Sequence, residues 1–260
     1  MSRVAIVTGA ARGIGAATVV ALANEGCTVL AVDVCADEPR IPYPMGTREE
    51  LDGVIAAAGP RARAVVADAT DPDALAGVVA RAEADHGGLD VVVAAAGVIA
   101  GGAPQWNVAA EQERAVLDVC LAGTLTAARV AIPALLRRPE PRQGRFLAVA
   151  STAASRGLPM LAAYCAAKAG VAGLIRALAV ELSGTGITAN AVSPGSTRTV
   201  MLEESARLYG LRSPEEFARQ QPIGRLLLPA DVAASLVFLA GSAASGVTGA
   251  VLAVDGGLSA

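Results

Sequence analysis

Short apolar runs alternate with stretches of helical periodicity along the whole chain. Most of the runs are rich in Val and Ala and do not alternate with polar residues, which indicates strands buried on both faces. We predict seven strands, at residues 4–8, 28–33, 62–68, 91–96, 145–151, 187–193 and 250–254. We predict helices between them, at residues 14–25, 48–58, 72–86, 111–137, 162–182 and 229–240.

This alternation predicts the fold class α/β, as a single Rossmann-like doubly wound parallel sheet with helices on both faces. The chain shows no internal repeat and no clear linker, so we expect one domain over residues 1–260. Two segments exceed what short connections require, namely 35–47 and 197–222. Both follow carboxyl ends of strands, where open α/β sheets bind ligands, so we expect both to serve the site rather than to decorate the surface.

Composition narrows the class of protein. Apolar residues make up 53 % of the 260 residues and the net charge is −3, so the chain has material for a large core and no basic field for nucleic acid. No secretory signal precedes the first strand, and no run is long enough to span a membrane. We therefore expect a soluble, cytoplasmic protein with neither nucleic acid nor membrane as partner.

The potential metal ligands are sparse. Four cysteines form no C-x-x-C pair, and His86 is the single histidine. Zinc needs clustered ligands, so we predict no metal site and expect buried, reduced thiols.

A glycine-rich turn, Thr8-Gly9-Ala10-Ala11-Arg12-Gly13-Ile14-Gly15, joins the first strand to the first helix. Glycines let a backbone approach a ligand closely, and the helix offers free N–H groups to a pyrophosphate. Asp33 ends the second strand, 24 residues after Gly9. A carboxylate there accepts hydrogen bonds from ribose hydroxyls and repels a 2′-phosphate, which favours NAD over NADP. The alternative is a solvated Asp at a strand end.

Tyr164 and Lys168 are spaced i, i+4 and share one face of a predicted helix. An ammonium group beside a phenol lowers the pKa of the phenol, which suits acid–base catalysis between an alcohol and a ketone. Ser151 ends the fifth strand and can reach the same pocket. These three residues are our predicted catalytic residues.

Together these motifs resemble those of the short-chain dehydrogenase/reductase family. The resemblance rests on the glycine-rich turn, Ser151, Tyr164-x-x-x-Lys168, Asn190-Ala191-Val192-Ser193-Pro194-Gly195 and Asp255-Gly256-Gly257, in the family's order and spacing over essentially the whole chain.

The resemblance implies hydride transfer between a secondary alcohol and NAD. It implies that Tyr164 transfers the proton, that Lys168 binds the nicotinamide ribose, and that Ser151 orients the substrate oxygen. It also implies a homotetramer or homodimer. The cofactor-binding residues implied are Gly9, Arg12, Gly13, Ile14, Gly15, Asp33, Asp68, Ala69, Ala95, Gly97, Tyr164, Lys168, Pro194, Gly195, Thr197 and Thr199.

Two positions depart from the family pattern. Ala94-Ala95-Ala96-Gly97 stands where the family commonly has Asn-Asn-Ala-Gly, and Cys120 stands where it usually has an Asn that kinks a helix and supports a proton relay. A thiol is a weak hydrogen-bonding group, so we expect Cys120 not to replace both functions of an amide.

The insertion at 35–47, together with Tyr164-Cys165-Ala166-Ala167-Lys168 and residues 193–199, is similar to the mycofactocin-associated branch of the family. That resemblance implies an NAD held through turnover and reoxidised by a peptide-derived redox carrier. A loop over the adenosine end would slow cofactor release.

Other classes stay open at this point. One alternative is an ordinary member of the family with freely exchanging NAD, and another is a dinucleotide-binding regulatory protein with weak catalysis. A nucleotide-sugar epimerase expects a second substrate domain, and a methyltransferase has no need of the Tyr/Lys pair. For the substrate we expect an apolar alcohol, in a pocket formed by Leu158, Met160, Leu161, Leu202, Leu208 and Leu211.

Overall fold

The computed structural model describes residues 3–260 and contains one seven-stranded parallel sheet. The strands are β1 Val4–Thr8, β2 Thr28–Asp33, β3 Ala62–Val66, β4 Val91–Ala94, β5 Arg145–Val149, β6 Thr188–Pro194 and β7 Val251–Val254. Their order is β3-β2-β1-β4-β5-β6-β7, and every neighbouring pair is parallel. The predicted fold class is confirmed.

Helices cover both faces of this sheet. They are α1 Gly13–Asn24, α2 Arg48–Ala58, α3 Pro72–His86, α4 Ala110–Leu117, α5 Gly123–Arg137, α6 Ala162–Glu181, α7 Val200–Leu208 and α8 Pro229–Ala240. Along β1, Val4 and Ile6 enter a core with α3, α5 and α6, whereas Ala5 and Val7 enter a second core with α1, α2 and α8. Because side chains alternate between the two faces of a strand, β1 contributes to two separate apolar layers.

Local signals account for several helix boundaries. Thr47 and Glu50 form a reciprocal capping box at the start of α2. At α3, the Asp71 carboxylate accepts hydrogen bonds from the backbone of Asp73 and Ala74, and Pro72 occupies the first turn. Such caps satisfy amides that no helical carbonyl reaches, so both helices begin where the sequence predicted.

The largest differences from the prediction lie at the carboxyl ends of the strands. Three strands predicted to end at residues 68, 96 and 151 end at Val66, Ala94 and Val149. The extra residues leave the sheet and turn into loops around the site. Segment 197–222, predicted as a loop, contains α7 and a 3₁₀ turn, Pro214–Gln220.

Two long helical stretches are apolar enough to cross a membrane by length and composition, Ala110–Arg137 and Ala162–Glu181. This contradicts the expectation that no run reaches that length. Both pack against the sheet, with Ala131 and Ile175 in the same core. Core helices commonly have this length and composition, so neither stretch indicates a membrane protein.

Candidate active site

A cavity of about 570 Å³ opens at the carboxyl ends of the strands, beside the β1/β4 boundary where strand order reverses. Open α/β sheets bind ligands at this switch point. The structure brings most of the predicted site residues to the cavity wall: Gly9, Arg12, Gly13, Ile14, Gly15, Ala95, Gly97, Ser151, Tyr164, Lys168, Pro194, Gly195, Thr197 and Thr199.

The glycine-rich turn forms a backbone cradle at one end of the cavity. Gly9 and Gly13 have φ of +66° and +59°, which L side chains rarely adopt. A Cβ added at Gly9 would lie 2.7 Å from the Cα of Ala96, and one added at Gly15 would collide with the carbonyl oxygen of Gly9. The N-terminus of α1 follows this turn directly, so the cradle fits a pyrophosphate.

Asp33, Asp68 and Ala69, three of the predicted cofactor-binding residues, do not line the cavity itself. The Asp68 carboxylate instead accepts hydrogen bonds from the backbone and hydroxyl of Thr70 (2.7 and 2.8 Å), and Ala69 is buried. Asp33 accepts from the backbone N–H of Ala11 (2.9 Å) and of Cys35 (3.2 Å).

Each oxygen of Asp33 keeps acceptor capacity beyond its single backbone partner. The loop that follows β2 lies directly against this carboxylate, because a Cβ on Gly46 would lie 3.2 Å from its Oδ1. Asp33 therefore stands beneath the insertion at 35–47 rather than on the open wall.

The insertion crosses from the end of β2 to the far side of the switch point. Arg12 donates to the carbonyl of Pro44 (2.8 Å), and Arg40 forms an ion pair with Asp118 (2.7 Å). The hydroxyl of Tyr43 accepts from the Ile99 N–H (3.0 Å), and burial raises the pKa of Tyr43 to about 12. The insertion is thus tied both to the glycine-rich turn and to the helix after β4.

The three predicted catalytic side chains meet at the middle of the cavity. Ser151 follows β5, whereas Tyr164 and Lys168 lie one turn apart on α6 and are 7 % and 3 % exposed. Lys168 Nζ donates to the Val149 carbonyl (2.8 Å) and lies 5.7 Å from the centroid of the Tyr164 ring. The Tyr164 hydroxyl contacts Met201 Sδ on α7 at 3.8 Å.

The pKa of Tyr164 differs from the sequence-based expectation. Burial raises this pKa, Cys120 nearby raises it further, and a hydrogen bond with Ser151 lowers it. We expected Lys168 to lower it. In the structure the phenol is enclosed while the ammonium group donates to the Val149 carbonyl, so desolvation dominates.

Cys120 lies in a π-helical turn, Asp118–Ala122, that separates α4 from α5. Its thiol donates to the carbonyl of Val98 (3.2 Å) and accepts from the N–H of the same residue (3.4 Å). The thiol thus acts as both donor and acceptor toward the backbone of Val98. Both contacts are nevertheless weaker than those of an amide.

The wall opposite the glycine-rich turn is apolar. Four of the predicted pocket residues line it, namely Leu158, Leu161, Leu202 and Leu211. Met160 and Leu208 do not line it. The carbonyl of Met160 and the side chain of Leu208 lie against the Gly101-Gly102 loop instead.

Sequence analysis missed several residues of the wall. No periodic signal marks their position, because they come from α7, from the insertion and from irregular turns elsewhere in the chain. These residues are Tyr43, Arg156, Met201, Tyr209, Phe217, Gln220 and Leu258.

Two other residues from the sequence motifs hold the backbone around the site in position. Asn190 donates to the Val247 carbonyl (2.8 Å) and accepts from the Ala250 N–H (3.1 Å), which holds the start of β7 beside β6. Thr199 accepts from the Leu202 N–H (3.3 Å) as the N-cap of α7. These bonds fix the α7 end of the cavity.

Known proteins are similar to this chain over nearly their whole length. A family model described as enoyl-(acyl carrier protein) reductase matches residues 9–259. The chain is 39 % identical to cis-4-hydroxycyclohexanecarboxylate dehydrogenase of Sinomonas cyclohexanicum, over 99 % of this chain and 97 % of that protein. It is 34 % identical to (-)-trans-carveol dehydrogenase of Rhodococcus erythropolis, over 98 % and 96 %.

A solved structure shows the same fold with a cofactor. Carveol dehydrogenase from Mycobacterium avium in complex with NAD superposes with a TM-score of 0.92 at 30 % identity, covering 98 % of this chain and 97 % of that one. The fold and site therefore define an NAD-dependent oxidoreductase. The chain belongs to the short-chain dehydrogenase/reductase family.

Proposed function

We propose that this enzyme interconverts a secondary alcohol and a ketone, with Ser151, Tyr164 and Lys168 as its catalytic residues. The observation that carries the proposal is the position of all three on the wall of one cavity, which also contains the glycine-rich turn. NAD held there would supply the hydride acceptor.

Each side chain has a distinct task in alcohol oxidation. Ser151 donates a hydrogen bond to the substrate oxygen and holds it toward Tyr164. Tyr164, as phenolate, takes the hydroxyl proton while the carbinol carbon loses a hydride. Lys168 is buried, and its ammonium group would stabilise the phenolate and bind the ribose of the cofactor. Its hydrogen bond to the Val149 carbonyl holds it in position.

The other cofactor contacts follow from the position of each residue. Gly9, Gly13 and Gly15 leave room for a pyrophosphate against the N-terminus of α1. Asp33 would bind the adenosine ribose and disfavour a 2′-phosphate. Asp68 and Ala69 would face the adenine, and the cofactor-binding roles of the remaining predicted residues are proposed with them: Arg12, Ile14, Ala95, Gly97, Pro194, Gly195, Thr197 and Thr199.

We also propose that NAD stays bound through turnover and is reoxidised by a mycofactocin-type carrier. The support is the insertion, which is tied to both Arg12 and Asp118. A cover fixed at both ends slows release more than it slows binding. The carrier would accept two electrons and two protons for each alcohol oxidised.

The first experiment tests retention. The protein is purified without added nucleotide and denatured, and the released small molecules are analysed for NAD and NADP. Near-stoichiometric NAD supports retention, an empty protein that binds added NAD indicates an ordinary exchanging enzyme, and NADP contradicts the role of Asp33. An artificial electron acceptor replaces free NAD in activity assays if the cofactor is retained.

A pair of variants links retention to the insertion. Arg40→Ala breaks the ion pair with Asp118 and is expected to speed NAD dissociation by about tenfold. Arg48→Ala is the control, because it breaks an exposed i, i+4 pair with Asp52 just after the insertion. Equal dissociation rates in both variants would contradict the role of the insertion.

The substrate is proposed to be a cyclic secondary alcohol whose ring is apolar. Two similar proteins are named for the oxidation of cis-4-hydroxycyclohexanecarboxylate and of carveol. The apolar wall formed by Leu158, Leu161 and Leu202 suits such rings. A panel of cyclic alcohols tests this choice, and turnover confined to short linear alcohols would contradict it.

We place the enzyme in the cytoplasm as a homotetramer or homodimer, with a single domain over residues 1–260. Support for one domain comes from relatives that align with it over nearly their full length. Support for an oligomer comes from apolar side chains exposed beside the edge strand β7, with Phe238 48 % exposed.

A further inference from the structure

The cavity carries an unbalanced positive charge. Its lining includes Arg12, Lys168 and Arg156, and within residues 3–260 that lining contains neither Asp nor Glu. An apolar cavity with three cations and no carboxylate is suited to an anionic ligand.

Two of the three cations have tasks in the proposed function. Arg12 lies in the glycine-rich turn, where a pyrophosphate fits, and it also donates to the Pro44 carbonyl. Lys168 donates to the Val149 carbonyl beside Tyr164. Arg156 has neither role and belongs to the segment between Ser151 and Tyr164.

The backbone of Arg156 is held close to the reacting groups. Its N–H donates to the Thr152 carbonyl (2.9 Å), in the turn that begins at Ser151. Its carbonyl accepts from the thiol of Cys165 (3.8 Å), the residue after Tyr164, and the same sulfur accepts from the Leu158 N–H (3.4 Å). Arg156 is therefore anchored to both catalytic elements.

The guanidinium group has no carboxylate partner among the residues that the structure describes. It donates to the backbone carbonyl of Leu258, near the end of the chain, and no ion pair includes it. A guanidinium has five N–H donors in a planar fork that matches a carboxylate. Most of those donors remain for a ligand.

We propose that the substrate is a hydroxy acid whose carboxylate pairs with Arg156 while its hydroxyl faces Ser151 and Tyr164. The inference rests on the proposed function and adds its substrate class. Leu158, Phe217 and Leu258 line the cavity and would contact the hydrocarbon between the two polar groups. Arg156 is exposed at the mouth of the cavity, and a charge-assisted pair there both tightens binding and fixes which alcohol carbon faces the cofactor.

A matched pair of alcohols tests the proposal. cis-4-Hydroxycyclohexanecarboxylate and cis-4-methylcyclohexanol share a ring and a hydroxyl and differ in the anionic group. We expect kcat/KM of the wild-type enzyme to favour the acid by about tenfold to a hundredfold. Arg156→Met is expected to remove most of that ratio, mainly through KM for the acid, and Arg156→Lys to keep part of it.

Arg212→Met is the control, since it removes an equal charge from an exposed residue outside the cavity. A ratio near one in the wild type, or a ratio that Arg156→Met leaves unchanged, overturns the inference and leaves the alcohol dehydrogenase function intact. Melting temperatures show whether each variant is folded.

If neither alcohol is oxidised, a binding measurement distinguishes failure of the inference about Arg156 from failure of the proposed function. That result counts against the proposed function for cyclic alcohols. Calorimetric titration of the NAD-loaded protein with the acid then tests Arg156 directly. Binding that Arg156→Met weakens at least tenfold supports the inference, and absence of binding to the wild type overturns it.

Discussion

Tyr164 is buried in the wall of the cavity, and this burial makes its phenol harder to deprotonate. Because burial raises the pKa of this phenol, the phenolate is a small fraction at neutral pH. Alcohol oxidation requires the phenolate, so its rate should rise as pH increases from about 7 to about 10. Steady-state rates over this range, at saturating alcohol, measure the effect. A flat profile would assign the base to another group.

Tyr164→Phe removes the hydroxyl that takes the proton. We expect kcat to fall by about 10²- to 10⁴-fold, while NAD content after purification stays that of the wild type. Ring packing is preserved in this variant, so a loss of bound cofactor would indicate a binding role instead. Activity equal to the wild type would disprove the assignment of the general base.

Cys120 offers a second test at the level of one side chain. Cys120→Ala leaves both polar backbone atoms of Val98 without their thiol partner, which costs about 1–3 kcal/mol. For a chain of this size the melting temperature should fall by roughly 2–4 °C per kcal/mol. Cys27→Ala is the control, because that buried thiol has no hydrogen bond in residues 3–260. A larger loss in the control would contradict the role of Cys120.

Among the elements, α2, α3 and α8 begin and end where the pattern predicted, because caps and prolines mark their ends. The helix α7 was missed, since it is a short element inside a segment broken by Gly210 and Pro214. Its start has a local signal, because Thr199 caps the helix, but the methyl group of Thr199 also lies beside the distant Gly13. No local sequence signal encodes that contact.

The residues of the site also divide into those that the sequence predicts and those that it does not. Residues on strand ends, in the glycine-rich turn and on α6 were predicted, because spacing along a strand or helix determines where they point. Tyr43 and Arg156 could not be predicted, since their positions depend on where irregular loops fold back. The raised pKa of Tyr164 was also missed, because burial is a property of the assembled cavity.

Alanine variants at two glycines distinguish a glycine needed for close packing from one that only adds flexibility to the chain. Gly15→Ala places a Cβ into the carbonyl of Gly9, so we expect loss of NAD binding and of stability. Gly53→Ala lies within α2, where the new methyl group meets no heavy atom within 4 Å apart from its own stretch of helix, and should stabilise the protein by about 0.4–1 kcal/mol. Thermal melts and NAD content of both variants check this, and similar behaviour of the two would contradict the cradle.

At the scale of the molecule, β7 is an edge strand with Leu252 38 % exposed, and Phe238 on neighbouring α8 is 48 % exposed. Uncovered edges promote association, so we expect a second subunit to cover this one. Phe238→Asp should shift the protein to a smaller species in chromatography with light scattering. Trp106→Asp, at a residue that is 85 % exposed on a separate loop, is the control. A monomeric wild type would contradict the proposed assembly.

The contact between Gly46 and Asp33 has a consequence for coenzyme engineering. Replacing an acidic residue after the second strand is the obvious route to NADP use, since it removes charge repulsion toward a 2′-phosphate. Here the backbone of the insertion fills the space beside that carboxylate, with a Cβ on Gly46 only 3.2 Å from Asp33 Oδ1. A charge swap alone would leave the phosphate no room, so a switch of coenzyme would also require rebuilding the loop. Rebuilding it would remove the segment that we propose slows release of the coenzyme.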